Sequence, residues 1–188
     1  MTNHEFIAGI DYSLCGPAIC VHDTTKPFSF YSCQFYFLTS IKKYARQVKS
    51  NIFGEKFSSY DQETQRYESI ADWALNKVVG CSQVALEGYA YGATGRVFHI
   101  AENTGVLKYK LYQQSLPVEI IPPAVVKKYA TTKGNASKSL MYQSFFEESG
   151  VPLKDFLDME GTEIRSPLSD IVDSYYICKH LNASLVDI

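Results

Sequence analysis

Short apolar runs bounded by turn residues recur along the chain and predict β-strands. They cover residues 6–11, 18–22, 28–37, 84–89 and 118–121. Gly16-Pro17 lies between the first two runs and predicts a tight connection there. Because the first three runs follow one another with short connections, we expect them to form an antiparallel meander.

Elsewhere, apolar residues recur three or four positions apart, which is the pattern of amphipathic helices. In residues 61–79 these positions are Tyr67, Ile70, Ala71, Ala74 and Val78. Further helices are predicted over residues 97–116, from Pro123 onward, over residues 137–148 and over residues 167–181. Two segments lack a clear period. Residues 39–59 are basic and predict a loop or short helix outside the core, and residues 151–166 predict an acidic loop.

A meander followed by strands that alternate with helices predicts an α/β fold, because parallel neighbours need helical crossovers. We expect a five-stranded mixed sheet, with antiparallel and parallel strands, flanked by helices. The chain has 188 residues, of which 46% are hydrophobic and 20% charged. This length and composition are typical of one globular domain, so we expect residues 1–188 to form a single domain.

Cysteine usage and hydropathy indicate an intracellular, cytoplasmic protein without a membrane partner. The five cysteines are odd in number, and neither a Cys-x-x-Cys pair nor zinc-ligand spacing is present. We expect all five to be reduced thiols, most of them in the core. No signal-like start and no apolar stretch of membrane-spanning length occurs in the sequence.

The formal net charge of −2 argues mildly against a nucleic-acid partner. The local balance differs, because residues 41–56 carry five positive side chains and one acid, and residues 124–138 carry four lysines and no acid. Acidic residues gather within 147–163 instead. We therefore expect a basic face and an acidic face, although such runs are often only solvated surface.

Four carboxylates stand where an apolar element begins or ends. Asp11 and Glu87 each follow an apolar run that predicts a strand, and an unpaired carboxylate buried there would cost several kcal/mol. Asp170 and Asp173 are three residues apart, so they lie on one face of the last helix, although acids near a helix start also favour the helix dipole. Carboxylates without histidine or cysteine partners favour Mg²⁺ or Mn²⁺. Two such ions about 4 Å apart can support phosphodiester cleavage.

The order of these motifs resembles that of the RuvC-type Holliday junction resolvases, which belong to the ribonuclease H-like superfamily. The matching stretches are IAGID at residues 7–11, ALE at 85–87, VK at 126–127, KGNASK at 133–138 and DIVD at 170–173. The match runs from Phe6 to His180, and its strength lies in the order of several motifs that are individually weak. The short chain is compatible with a phage or viral member, which would act in the host cytoplasm.

The resemblance implies a ribonuclease H-like fold, a homodimer with two active sites and symmetric cleavage of four-way or otherwise branched DNA. It implies that Asp11, Glu87, Asp170 and Asp173 hold two Mg²⁺ ions per site, for which Mn²⁺ can substitute. Lys138 is expected to take part in catalysis. The DNA-contacting lysines are expected to be Lys127, Lys133 and Lys138, for which the alternative is a solvated helix face.

An aromatic residue shortly after the second carboxylate is usual in this family, at the position where junction bases unstack. Here Glu87 is followed by Tyr89 and Tyr91, with Arg96 just beyond, and we expect these three residues to contact DNA. A tyrosine face can stack on an exposed base with about 1 to 3 kcal/mol. The alternative is that the tyrosines pack on the neighbouring helix.

Other functions remain open at this stage. A nuclease that acts on RNA precursors would share the strand-end acids, and a non-catalytic junction-binding protein would share the fold. The Asp11-Tyr12-Ser13 turn also resembles the phosphate-binding hairpin of sugar kinases and actin-like ATPases, but those proteins need two domains and a longer chain. The segments 39–59 and 151–166 depart from the family pattern, and both could alter the substrate.

Overall fold

The computed structural model describes residues 6–89 and 97–186. Its centre is a seven-stranded mixed sheet with the strand order β4-β5-β3-β2-β1-β6-β7. The strands are β1 (Phe6–Asp11), β2 (Ala18–Asp23), β3 (Cys33–Thr39), β4 (Gln47–Lys49), β5 (Ile52–Lys56), β6 (Gln83–Glu87) and β7 (Val118–Ile121). The antiparallel meander β1-β2-β3 is confirmed, and β6 and β7 add to it in parallel with β1.

Six helices cover the two faces of this sheet. They are α1 (Glu63–Lys77), α2 (Val97–Gln113), α3 (Pro123–Thr131), α4 (Lys138–Ser149), α5 (Leu153–Phe156) and α6 (Leu168–Val186). Side chains alternate between the faces along each strand, so that Ile7 packs towards α6 and Ala8 towards α1 and α2. The predicted fold class is therefore confirmed, with two more strands than expected.

The prediction of a loop or short helix outside the core over residues 39–59 was wrong in part, although Lys42–Tyr44 do form a short 3₁₀ helix. This segment holds β4 and β5, which extend the sheet beyond β3. Ile52 and Tyr44 are buried, and the Tyr44 carbonyl lies against Gly54, where a Cβ would meet it at 2.0 Å. The strands were not visible in the sequence because β4 has three residues and β5 contains a glycine at its centre.

Two further boundaries differ from the predictions. Residues 30–32 form a 3₁₀ turn in which Ser29 and Ser32 cap each other, so β3 begins only at Cys33. The segment 151–166 is not only a loop, because it contains α5 and contributes Leu153 and Leu157 to the core.

The expected separation of a basic and an acidic face was also wrong in part. The Lys43 ammonium donates to the Asp158 carbonyl at 3.0 Å, and Arg46 forms an ion pair with the Asp158 carboxylate at 3.2 Å. The basic and acidic segments are therefore in contact, because the chain packs the 151–166 segment beside the β4–β5 extension.

The cysteines are free thiols, as expected, with Cys20, Cys33 and Cys178 buried. Within residues 6–89 and 97–186, no helix is both long and apolar enough to cross a membrane.

Candidate active site

Asp11 and Glu87 end two neighbouring parallel strands. β1 pairs with β6 so that Ile10 stands opposite Leu86, and the two acids follow these residues directly. Parallel strands end at the same edge of a sheet, so the two carboxylates lie side by side at the end of the β1–β6 pairing. Both residues are half-buried. The strand-end acids of the first and fourth predicted strands are thus neighbours.

Helix α6 brings the other two carboxylates to the same edge. It crosses β1 at Gly9, where a Cβ would come within 2.2 Å of the Cys178 backbone nitrogen and 2.7 Å of the Ser174 carbonyl oxygen. Only glycine allows this close approach of helix and strand. Asp170 and Asp173 lie nearer the start of the helix than this contact, beside the end of β1.

The carboxylates act on one another electrostatically. Burial raises the pKa of Asp11 well above its usual value, and the charges of Asp173, Asp170 and Glu87 raise it further. Burial, followed by Glu87 and Asp170, raises the pKa of Asp173 to about 7. Burial also raises the pKa of Glu87. These shifts indicate negative charge that the protein does not fully compensate.

Two lysines lower these pKa values and so belong to the same electrostatic site. Lys138 favours the charged forms of Asp11 and Asp173, and Lys127 those of Glu87 and Asp173. The Lys138 ammonium is held by the Ser169 hydroxyl at 3.2 Å. Lys133 lies exposed in the turn between α3 and α4.

Asp170 has hydrogen-bond partners that the sequence did not indicate. Ser169 donates to its Oδ1 at 2.8 Å, and the Ser166 hydroxyl donates to its Oδ2. Gly16, in the β1–β2 turn, faces the same carboxylate, and a Cβ there would lie 2.5 Å from Oδ2. Serines and a turn glycine are common at helix starts and hairpins, so these residues gave no distinctive signal in the sequence.

Tyr89 lies two residues after Glu87 in the sequence and is 43% exposed. Its ring lies under the Lys108 ammonium at 5.0 Å, and its hydroxyl is 3.5 Å from the Ala101 carbonyl. It therefore touches α2 and still presents a free part of its ring. Tyr91 and Arg96 lie outside the described residues.

The donor set matches a hard divalent cation in chemistry and charge. It consists of carboxylates from three elements, with two lysines beside them. Among the described residues, no three Asp, Glu, His or Cys side chains are placed so that they could hold a metal ion as they stand. The carboxylate side chains would therefore have to move closer together to share a cation, and Asp170 would have to give up its bonds to Ser166 and Ser169.

Comparisons with known proteins show a shared fold. Neither a protein-family model nor a curated protein sequence matches the chain. The structure of Thermus thermophilus RuvC superposes with a TM-score of 0.58, at 14% identity, over 97% of this chain and 96% of that one. The RuvC of the same organism in complex with a Holliday junction substrate gives a TM-score of 0.59, at 14% identity, over 98% and 97%.

A third similar structure is the yeast mitochondrial Holliday junction resolvase Ydc2. It superposes with a TM-score of 0.52, at 15% identity, over 96% of this chain and 80% of that one. The chain therefore has the fold of the RuvC-type resolvases over nearly its whole length.

Proposed function

We propose that this protein is a divalent-metal-dependent endonuclease that resolves four-way or otherwise branched DNA junctions by paired phosphodiester hydrolysis. One observation carries the proposal. Asp11, Glu87, Asp170 and Asp173, from β1, β6 and α6, concentrate uncompensated negative charge at one sheet edge, and the pKa of Asp173 is raised to about 7. The shared fold supports DNA junctions as the substrate, because the similar structures include a RuvC with a Holliday junction substrate.

We propose that the four carboxylates hold Mg²⁺, two ions per site, and that Mn²⁺ can substitute. When bound, such ions activate water and stabilise the leaving oxygen of a phosphodiester. Asp11 and Glu87 are fixed by strand backbones, so they supply the constant part of the site. Asp170 would have to give up its bonds to Ser166 and Ser169 to serve as a ligand.

The lysines would position and neutralise the substrate phosphate. Lys138 is oriented by Ser169, and its ammonium can donate charge-assisted hydrogen bonds to phosphate oxygens. Lys127 lies on α3, and its charge lowers the pKa of Glu87. Lys133 is exposed in the turn between α3 and α4, and we propose that it contacts the DNA backbone further from the cleavage site. The free part of the Tyr89 ring can stack on an unpaired base.

Paired cleavage requires two active sites, so we propose a homodimer. Helix α2 carries a face that is exposed and apolar in the single chain, made of Phe98, Gly105, Tyr109 and Tyr112. At about 100° per residue these four positions fall within a sector of about 60°. A stripe of this kind is typical of a surface that packs on another helix.

The proposal is tested by incubating the protein with labelled four-way, forked and duplex DNA and with an RNA–DNA hybrid, in Mg²⁺, Mn²⁺, Ca²⁺ or EDTA. We expect symmetric nicks in the four-way junction with Mg²⁺ or Mn²⁺. Asp11→Asn and Asp173→Asn should each slow cleavage by about 10²-fold or more and leave junction binding largely intact. Asp61→Asn, an exposed acid outside the site, is the matched control.

Each contrary result has a distinct meaning. Full activity of both Asp11→Asn and Asp173→Asn would overturn the assignment of the active site. Cleavage of the RNA–DNA hybrid alone would make the protein an RNA-directed nuclease. Tight junction binding without cleavage in any metal would make it a non-catalytic junction-binding protein.

A further inference from the structure

The β4–β5 extension places a basic loop on the same sheet edge as the four carboxylates. We call residues 40–46 together with Lys56 the edge loop. The strands β1, β3 and β5 run in the same direction, because β2 is antiparallel to both β1 and β3 and β5 is parallel to β3. At the level of the site, Asp11 pairs with Ala18, Ala18 pairs with Phe37, and Phe37 pairs with Gly54. The edge loop begins just beyond this level.

The distance along this edge suits one continuous nucleic-acid strand. Neighbouring strands lie about 4.8 Å apart, so β5 lies about 14 Å from β1. A DNA strand carries one phosphate per about 3.4 Å of duplex axis, so this distance corresponds to about four nucleotides. A duplex arm leaving the carboxylates in this direction would pass over the edge loop.

The edge loop has the charge that such an arm needs. Lys42, Lys43, Arg46 and Lys56 are all exposed, and residues 40–46 contain no acid. Within the described part of the chain, Lys42 and Lys56 form no ion pair. Arg46 is held in place by donating from Nε to the Lys43 carbonyl at 3.0 Å.

The guanidinium of Arg46 already binds one anion, the Asp158 carboxylate, at 3.2 Å. Half of the Arg46 side chain and 73% of the Asp158 side chain are exposed. An ion pair this exposed contributes only about 0 to 1 kcal/mol, so a phosphate can replace the carboxylate at little cost. Lys43 would stay attached, because it donates to the Asp158 backbone carbonyl and not to the carboxylate.

We infer that the edge loop is a second phosphate-binding surface, which holds the duplex arm of a DNA substrate about four nucleotides from the cleavage site, and that Asp158 competes with the DNA phosphate for Arg46. The inference rests on the proposed nuclease function. It adds to that function a contact remote from the carboxylates and an acidic residue that weakens binding.

The first test removes the two unpaired charges. Binding of a four-way junction with 15-base-pair arms is measured between 50 and 200 mM NaCl for Lys42→Gln/Lys56→Gln. Each lost phosphate contact lowers the slope of log affinity against log salt by about 0.9, so we expect a slope lower by about two and affinity at least roughly tenfold weaker at 0.1 M. The matched control is Lys26→Gln/Lys110→Gln, which removes two lysines paired with Asp23 and Asp72.

The second test adds charge to the surface instead of removing it. Asp158→Asn frees the Arg46 guanidinium, so the junction should bind roughly threefold more tightly, with a slope steeper by about one. Asp155→Asn makes the same change of charge in the same segment, at a side chain that forms no ion pair among the described residues. It should shift affinity much less.

A third measurement fixes the position of the contact. Replacing the phosphates about four nucleotides and more from the cleavage site by uncharged methylphosphonates removes the charges that the edge loop would reach, so Lys42→Gln/Lys56→Gln should then bind this junction like the wild type. Equal loss on the methylphosphonate junction and on the unmodified junction would place these lysines elsewhere and overturn the inference. Equal effects of Asp158→Asn and Asp155→Asn would show that Asp158 does not compete for Arg46.

The two proposals fail in different ways. If the wild-type protein binds no DNA under any of these conditions, the nuclease function itself fails. If it binds and cleaves the junction while Lys42→Gln/Lys56→Gln behaves like its control, only the edge-loop inference is wrong. A melting temperature for each variant, compared with that of the wild type, identifies any change that comes from misfolding.

Discussion

At the scale of single residues, the site is defined by carboxylates whose charge the protein does not neutralise. Structural acids at a helix start or sheet rim normally have lowered or ordinary pKa values, because hydrogen bonds or cations favour their charged form. Asp11, Glu87 and Asp173 show the opposite, with burial as the largest cause in each case. The fold therefore holds these acids at a free-energy cost, which a bound cation would offset.

This cost gives Asp173 a measurable effect on stability. Its pKa is about 7 in the fold and near 3.8 in an unfolded chain, so the fold binds the extra proton between those values. Stability in EDTA should fall as the pH rises from about 4 to about 7. Asp173→Asn removes this titration, so it should be more stable than the wild type at pH 8, by up to about 4 kcal/mol, and gain little at pH 4.

Urea unfolding in EDTA at both pH values measures this difference, with Asp155→Asn as the control for a surface acid. A variant that is destabilised equally at both pH values would show that the Asp173 carboxylate makes favourable contacts and is not under repulsion.

At the scale of elements, the contact between β1 and α6 joins the strand-end acids to the helix acids. Gly9 makes this contact possible, since a Cβ would come within 2.6 Å of the Cys178 Cα. The atoms it would meet belong to the backbone of a buried helix, so no side chain can rotate away to make room.

Gly9→Ala should therefore destabilise the protein by about 3 kcal/mol, at the upper end for overpacking. Gly88→Ala is the matched control, because its Cβ would meet the Ile120 side chain at 3.2 Å, where a small shift is enough. Urea midpoints followed by the fluorescence of Trp73, the single tryptophan, compare the two. If the two alanine variants are equally stable, the close β1–α6 contact does not limit the fold.

The same elements show what the sequence could and could not predict. Asp11 and Glu87 end apolar runs, and Asp170 and Asp173 share a helix face, so local periodicity was enough to place all four carboxylates. The strands β4 and β5 depend instead on pairing with β3 and on Tyr44 lying over Gly54, which are contacts between distant or irregular positions. Residues 39–59 show no hydrophobic periodicity that would predict these two strands.

The hydrogen bonds and ion pairs of individual side chains could not be predicted from the sequence either. Ser166 and Ser169 both donate to Asp170, but a serine near a helix start has many other uses, so the sequence does not identify these bonds. The contact between Arg46 and Asp158 joins residues 112 positions apart, and each was predicted on a separate face.

At the scale of the whole molecule, the proposed catalytic and DNA-binding residues lie along one edge of the sheet. The ends of β1, β3, β5, β6 and β7 meet there, because these five strands run in the same direction. The carboxylates, Lys127, Lys138 and the edge loop all lie along that edge. A protein with a net charge of −2 can thus have a locally basic surface, and under the proposed function this local charge, and not the sum, would face the DNA.

The proposed dimer is also a property of the whole molecule, and Gly105 offers a test that leaves the single chain intact. Gly105 lies on the exposed stripe of α2, and a Cβ there would meet nothing within 4 Å in the same chain. In a helix interior glycine costs about 1 kcal/mol relative to alanine, so its presence suits a close approach by a second backbone.

Gly105→Lys should therefore keep or slightly raise the stability of the monomer and block association. By sedimentation, the wild type should have twice the chain mass of 21.2 kDa and the variant the mass of one chain. Gln143→Lys places the same side chain on the exposed face of α4 and should remain dimeric. A dimeric Gly105→Lys would exclude this stripe as the interface. A monomeric variant should cut one strand of a four-way junction at a time, because the second active site is no longer held on the opposite strand.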